Sequence, residues 1–239
     1  MRVSDKALVL QAIPYSDRKL ILKLFCREHG LVTAAAIKGS SPSSKIKAAH
    51  IRPMNLLEAQ FTKKENREIQ QLTEVNCYYI SDNVSNSLHK LTIAQFLNEI
   101  LVKAIKEQSH NTELFDFVEG CIRFLNEKDA GYMNLHVYFL IELSKFFGFS
   151  PINNHSEELC FFDCRERQFT SLNLPFPLGL DKNSSALLAH ALSKNCLEEK
   201  FSNEQRQLLL ESLSAYYQHH IPGFDQLKSL NVLREVVAV

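Results

Sequence analysis

Several features common in proteins are missing from this sequence of 239 residues. No apolar run approaches the roughly 18 residues that span a bilayer. Residues 1–6 meet charge before any hydrophobic stretch, so no signal peptide is predicted. There is no tryptophan, no internal repeat and no low-complexity tail. A hydrophobic fraction of 45% and a charged fraction of 23% are typical of a folded protein, for which a cytoplasmic location is expected.

Enzyme motifs are missing as well. No Gly-rich phosphate loop, His-Glu-x-x-His motif or nucleophile elbow is present, and the scattered acids form no recognisable carboxylate pair. The adjacent His219 and His220 would point about 100° apart on a helix, so they do not converge on one ion, and a role at a helix end is expected instead. We therefore predict neither catalysis nor a bound cofactor.

Net charge is also absent, because 27 Lys and Arg balance 27 Asp and Glu, which would normally argue against a nucleic-acid partner. The charge is nevertheless unevenly placed. Residues 1–75 carry thirteen basic and seven acidic side chains, a net charge of +6, so the remainder carries −6. This asymmetry predicts a basic module that meets a polyanion, joined to an acidic module that does not; chance clustering of surface charge is the alternative.

The first 75 residues have the sequence pattern of β-strands. Five segments have this pattern: residues 7–13, 19–25, 31–37, 54–62 and 68–75. In the second of them Leu20, Leu22 and Leu24 share one face. Tight turns at Gly30 and at residues 63–67 separate neighbouring segments. Five short strands so linked predict a small barrel such as an OB-fold.

From about residue 84 the apolar period becomes helical. Helices are predicted over residues 93–104, 114–125, 134–147, 186–193 and 227–237. A further helix is predicted to begin at a capping box formed by Ser202 and Gln205. A short β-hairpin is predicted near residues 158–171. The fold class is therefore α+β, with residues 1–80 forming an OB-fold-like barrel and residues 81–239 forming a predominantly helical domain with an inserted hairpin.

Six short phrases, in order and at similar spacing, resemble one known family. They are residues 5–10, 15–25, 28–32, 38–39, 146–151 and 227–235. Together they resemble RecO, a family of bacterial recombination mediators. The resemblance implies a DNA-binding barrel in residues 1–80, binding of single- and double-stranded DNA, and annealing of complementary strands. It also implies work with RecR and often RecF to load RecA onto DNA coated by single-strand DNA-binding protein, and association with the nucleoid during repair.

The basic residues of the predicted barrel lie mostly on its turns. OB-folds hold oligonucleotides on their second and third strands and on two loops, and Lys or Arg there neutralise phosphates without reading bases. The predicted DNA-binding residues are Arg18, Lys19, Lys23, Lys38, Lys45, Lys47, Lys63, Lys64 and Arg67. Because many family members have a more basic loop where this chain has Ser40–Ser44, that loop is expected to contribute less.

Base stacking has few candidates because tryptophan is absent. Tyr15, Phe25 and Phe61 are the aromatic residues within residues 1–75 that could stack on a base. Phe25 and Phe61 have a core position as their alternative, and Tyr15 has an ordinary turn position. Tyr15 is the predicted stacking residue, and attraction to the phosphate backbone is the better-supported mode of binding.

The cysteine pattern differs from that of some relatives, which carry two Cys-x-x-Cys pairs spaced for zinc. Here Cys160 and Cys164 remain, with His155 nearby and no second pair, so no metal is predicted. The six cysteines are expected to be reduced core thiols. They are Cys26, Cys77, Cys121, Cys160, Cys164 and Cys196.

The helical half is implicated, by the resemblance, in contacts with RecR and with the acidic C-terminal tail of single-strand DNA-binding protein. Such a tail needs an apolar slot with a cationic rim, which Lys228 and Arg234 beside Leu227, Leu230 and Leu233 are predicted to supply. The alternative is that the leucines are core and the charges solvated. A second interpretation of the whole chain is a non-catalytic protein–protein adaptor of the repair machinery with weak or no DNA binding.

Overall fold

A computed structural model describes residues 1–37, 39, 45–47, 49–64, 66–106 and 110–237. The chain divides into two compact units. The barrel unit comprises Met1–Ser87 and Ile100–Asn126, and the helical unit comprises Leu88–Glu99 and Glu127–Val239. The domain boundary near residue 80 stays a prediction. Within the described ranges, no helix has both the length and the apolar character needed to cross a membrane.

The barrel unit is built on five strands, as predicted. They are β1 (Arg2–Pro14), β2 (Lys19–Cys26), β3 (Gly30–Ile37), β4 (Leu56–Thr62) and β5 (Ile69–Tyr79). The sheet closes in the order β1-β2-β3-β5-β4, with β3 and β5 parallel and the other neighbours antiparallel. The predicted α+β class with an OB-like barrel is confirmed.

Alternation along β2 explains how the barrel separates core from surface. Leu20, Leu22 and Leu24 point inward and are buried, and each fully buried leucine contributes roughly 1.5–3 kcal/mol to stability. Lys19 and Lys23, at the intervening positions, are half-buried and face outward. The same pattern that stabilises the barrel therefore presents cations on its outer surface.

A bulge in β1 changes which residues face outward. Pairing with β2 shifts register between Val9 and Gln11, so Val9 lies in the barrel core while Gln11 and Ile13 lie on the outer side. Before the bulge, the outward Phe25 of β2 is covered, because its ring packs 5.7 Å from Phe115. Phe115 belongs to α3 (Thr112–Glu127). The outer surface of β1 and β2 is thus covered at Phe25, before the bulge, and open at Gln11 and Ile13, after it.

The remaining elements are six helices and a small sheet within the described residues. The helices are α1 (Asp82–Ser85), α2 (Leu88–Ala104), α4 (Leu135–Phe146), α5 (Lys182–Ser193), α6 (Asn203–His220) and α7 (Lys228–Val237). The predicted capping box of α6 is present, with Ser202 Oγ accepting from the Gln205 N–H at 3.1 Å. The predicted hairpin, β6 (Phe161–Asp163) and β7 (Gln168–Thr170), gains an unpredicted third strand, β8 (Gly179–Leu180), paired with β6.

The two histidines at the end of α6 have structural contacts. His219 Nε2 lies 2.8 Å from the Pro177 carbonyl, and His220 Nε2 lies 2.7 Å from the Cys164 carbonyl. The His220 ring also stacks on Phe149 with centroids 5.0 Å apart, and burial lowers the pKa of His220. The two imidazoles therefore contact two different backbone carbonyls, both outside α6.

His136 of α4 generates a prediction about acid stability. It is fully buried, neither ring nitrogen has a hydrogen-bond partner among the described residues, and burial lowers its pKa to about 3. In the unfolded chain the pKa is about 6.5, so below that pH the unfolded state binds a proton that the folded state does not. The free energy of unfolding should therefore fall between pH 6.5 and 3.

Replacing this ring with His136→Leu should remove the acid-sensitive contribution. Urea unfolding of both proteins at several pH values would show it, since the wild type should lose about 1.4 kcal/mol more per pH unit below pH 6. Equal pH dependence of the two proteins would contradict a buried, neutral His136.

Candidate nucleic-acid interface

One part of the candidate interface is the open outer surface of β1, β2 and β3, here called the strand face. It consists of Gln11, Ile13, Lys19, Ile21, Lys23, Thr33, Ala35 and Ile37. Lys19 pairs across to Ile37, and Lys23 lies between Gln11 and Thr33. Ile13 and Ile37 are 46% and 57% exposed, so the strand face combines cations with uncovered aliphatic surface.

Tyr15 stands at the end of the strand face, in the turn between β1 and β2. The Tyr15 and Ser16 N–H groups donate to the Lys19 carbonyl at 2.9 and 3.1 Å. Lys19 Nζ lies 5.3 Å from the Tyr15 ring centroid, within the range of a cation–π contact. The ring is still 71% exposed, and Arg18 is exposed in the same turn. The structure thus brings together three of the predicted residues.

A second part is a groove beside the β4–β5 turn, here called the hairpin groove. Its volume is about 290 Å³. The lining residues are His29, Leu31, Val32, Thr33, Phe61, Lys63, Lys64, Arg67, Glu68 and Gln70. The groove therefore brings the predicted Lys63, Lys64 and Arg67 to one place, and Glu68 offsets part of their charge.

Gln70 shapes the turn that carries these cations. Its Oε1 accepts from the Lys64 N–H at 2.8 Å, and its Nε2 donates to the carbonyls of Lys64 and Arg67 at 3.1 and 2.5 Å. One side chain thereby ties both ends of the turn to the start of β5. The side chains of Lys63, Lys64 and Arg67 are exposed, while the backbone of Lys64 and Arg67 is held by Gln70.

His29, which also lines the groove, is fixed by a buried acid. Its Nδ1 lies 2.7 Å from Asp5 Oδ2, and the Asp5 carboxylate also accepts from the Glu28 N–H at 3.1 Å. The Asp5 side chain is 2% exposed. The His29 ring meets Phe61 edge-on, with centroids 5.7 Å apart. A buried hydrogen bond and an aromatic contact therefore set the position of the imidazole.

Thr33 joins the two parts. It lies opposite Lys23 in β2 and opposite Ile69 in β5, and it also lines the hairpin groove. The strand face and the hairpin groove consequently form one continuous surface, here called the basic track, from Tyr15 to Arg67. The second and third strands with two adjoining loops are where OB-folds hold oligonucleotides.

The other barrel residues predicted to bind DNA are placed less favourably for contact with phosphate or lie outside the residues that the structure describes. Lys45 Nζ is 2.8 Å from Glu74, so part of its charge is offset, while Lys47 is exposed. Lys38 and residues 40–44 lie outside the described residues. Phe25 and Phe61 are each 1% exposed, which places them in the core, the alternative to base stacking.

In the helical unit, the predicted partner-binding cations stand beside a buried stripe. Leu227, Leu230 and Leu233 are buried, in agreement with the alternative that they belong to the core. Arg234 Nη2 donates to Glu211 at 2.7 Å, and Lys228 is exposed. Because these leucines are buried, they do not form an open apolar slot. Partner binding through Lys228 and Arg234 stays a prediction.

Cys160 and Cys164, for which no metal is predicted, differ in burial. Cys164 is buried, and burial raises its pKa to about 12, whereas Cys160 is half-buried. Among the residues that the structure describes, no group of three or more His, Cys, Asp or Glu side chains is arranged to hold a metal ion. A thiol kept protonated by burial is a poor metal ligand.

Several members of the basic track are not predicted by the sequence. Ile13 and Ile37 have the pattern of ordinary strand residues, and His29 that of a turn residue. Gln70 carries no sequence signal for its role, because its three hydrogen bonds depend on the fold of the turn. The pairing of His29 with Asp5 spans 24 residues, a separation at which no local spacing rule applies.

Comparison with known proteins gives a consistent result over almost the whole chain. The family model for the N terminal of recombination protein O matches residues 1–80, and that for its C terminal matches residues 85–231. The DNA repair protein RecO of Flavobacterium johnsoniae is 31% identical over 99% of both chains. That of Flavobacterium psychrophilum is 32% identical over the same share, and that of Azobacteroides pseudotrichonymphae is 28% identical, again over 99% of both.

The role of Gln70 generates a prediction about stability. Gln70→Ala removes three hydrogen bonds from the turn and should lower the free energy of unfolding by about 1–3 kcal/mol. Urea denaturation followed by circular dichroism would measure this. Gln168→Ala, at an exposed position in β7, is the matched control and should change little; equal effects of the two changes would contradict the role of Gln70.

Proposed function

The chain belongs to the RecO family of DNA repair proteins, and we propose that it is a non-catalytic, DNA-binding mediator that anneals complementary strands. The observation that carries this proposal is the basic track. It lies where OB-folds hold oligonucleotides, and it combines exposed cations in the hairpin groove with an exposed tyrosine and uncovered isoleucines on the strand face.

The mode of DNA binding follows from the kinds of residue in the track. Lys63, Lys64 and Arg67 neutralise phosphates and release counterions, which gives affinity without sequence preference. Tyr15 offers an exposed ring for a base, and the isoleucines offer apolar contact to further bases. Bases are accessible in this way in a single strand, so the strand face is suited to single-stranded DNA and the cations to either form.

Annealing requires that two polyanions approach each other. Duplex DNA carries one charge per about 1.7 Å of axis, and repulsion between strands opposes pairing. A barrel unit with cations along one track lowers this repulsion for a strand lying on it. We propose that the protein promotes annealing in this way, by screening charge and without covalent chemistry.

The proposed binding site for protein partners is the helical unit. We propose that it contacts RecR, and in addition RecF and the acidic C-terminal tail of single-strand DNA-binding protein, so that RecA is loaded onto coated DNA. Lys228, exposed at the start of α7, is the better candidate of the two predicted cations, because Arg234 already pairs with Glu211. Binding of a labelled peptide with an acidic, aromatic end to wild type and Lys228→Glu would test this contact.

A second candidate function is a protein–protein adaptor with weak or no DNA binding. The zero net charge and the pairing of Lys45 with Glu74 favour it, since both reduce attraction to phosphate. Salt-dependent DNA binding separates the two candidates, because an adaptor has no need of it.

Charge reversal in the hairpin groove generates a prediction about DNA affinity. The double change Lys63→Glu, Lys64→Glu should weaken binding to a labelled single strand by at least about tenfold at low salt. It should also flatten the dependence of log affinity on log salt by about 1.4, at roughly 0.7 per phosphate contact. Fluorescence anisotropy measures both quantities, and annealing rates should fall in parallel.

The control for this change is Lys200→Glu, an exposed lysine outside the barrel unit. It alters net charge in the same direction and should leave the salt slope unchanged. If the double variant kept the affinity and slope of the wild type, the assignment of the hairpin groove to phosphate would be refuted.

Tyr15 generates a separate prediction about bases. Tyr15→Ala should weaken binding to single-stranded DNA by about 1–3 kcal/mol if a base stacks on the ring, while Tyr15→Phe should retain most of the affinity because it keeps the aromatic surface. The salt slope should be nearly the same in all three proteins. Loss of affinity in Tyr15→Phe as large as that in Tyr15→Ala would argue for the hydroxyl and against stacking.

A further inference from the structure

The hairpin groove has two chemically different parts. The exposed part of its lining is Lys63, Lys64 and Arg67, here called the rim, whereas the half-buried Leu31 and His29 form an apolar wall. Val32 and Phe61 lie beneath this wall in the barrel core. A site for a bare phosphate needs only the rim. The apolar wall indicates a ligand that also has a flat, largely uncharged portion, as a nucleobase does.

The size of the groove limits the ligand. At about 290 Å³ it lies just below the range of roughly 300–1,000 Å³ that is common for small-molecule pockets. One ring system with its sugar suits such a volume, and a stacked run of bases does not. A base must therefore leave its neighbours to enter, which costs least in a strand that is already single.

The polar atoms of the wall set the selectivity. Both donors and the oxygen of the Gln70 amide are used by the turn backbone. The Asp5 carboxylate accepts from His29 Nδ1, so Nε2 is the nitrogen left for a ligand. Apart from the charged side chains Lys63, Lys64, Arg67 and Glu68, one ring nitrogen and the Thr33 hydroxyl remain. These two groups are too few to distinguish four bases, so the site should tolerate any base.

We propose that the hairpin groove holds one unstacked nucleotide of a single DNA strand, with the base against His29 and Leu31 and a phosphate at the rim of Lys63, Lys64 and Arg67. This inference rests on the proposed DNA binding and specifies it, since it gives the basic track a fixed point at which one base is turned out of the strand. Duplex DNA, whose bases are paired, gains only the rim contacts.

The test compares two single strands of equal length, one of thymidylate and one fully abasic. Their affinity ratio cancels the phosphate contribution and isolates the bases. Leu31→Trp fills the groove with an indole and should lower this ratio about fivefold, the low end of the stacking energy per base. The matched control Leu172→Trp, at a position 64% exposed in the helical unit, should keep the wild-type ratio.

The outcomes separate this inference from the proposed function. A ratio unchanged in Leu31→Trp, or a ratio of one in the wild type with salt-dependent binding of both strands, would overturn the nucleotide site and leave DNA binding intact. Failure of the wild type to bind either strand would remove the proposed function itself.

A second measurement on the wild type covers the case in which Leu31→Trp does not fold. Thymidine monophosphate, titrated against isotope-labelled protein, should shift the backbone amide signals of Leu31, Thr33 and Gln70 saturably. Inorganic phosphate should shift the rim signals of Lys63 and Lys64 and leave Leu31 unmoved. Identical shifts with both probes, or none at Leu31, would show that the groove takes a phosphate alone at most and would overturn the inference.

Discussion

Closure of the barrel is the constraint on which the interface depends. β1 pairs with β4, and β3 pairs in parallel with β5 from Thr33 to Ala35, so each strand has two neighbours and one inward face. That inward face must be apolar, which fixes Leu22 inside and Lys23 outside. The parallel pairing also brings the β4–β5 turn beside β3. Thr33, a residue with neither charge nor aromatic ring, is therefore the point that joins the strand face to the hairpin groove.

The fold was predictable to the extent that its rules are local. Alternation predicted five strands and helical periodicity predicted the main helices, because burial on one side imposes a period. The two-residue strand β8 was not predictable, since Gly179 and Leu180 are extended only by pairing with β6. Nor were the limits of the strand face predictable, because they depend on the register shift between β1 and β2 and on the cover of Phe25 by Phe115, which is 90 residues away.

The candidate site shows a similar division. The position of cations at turns and of Tyr15 in the first turn was predictable from sequence, but the grouping of these residues on one surface was not. Which charges remain available depends on pairing: Lys45 meets Glu74, and Arg27 meets Asp116 at 2.7 Å. A chain with zero net charge can therefore still present a basic track, because acids and bases pair unevenly over its surface.

The most direct test of this account is the affinity of the wild-type protein for a labelled single strand, measured by fluorescence anisotropy at about 50 and 200 mM salt. Binding that is tight at low salt, falls steeply at high salt and is indifferent to sequence is the predicted result, because the track contacts phosphates and has few polar atoms for bases. Absence of binding at low salt would contradict the account and would move the protein's function to its protein partners.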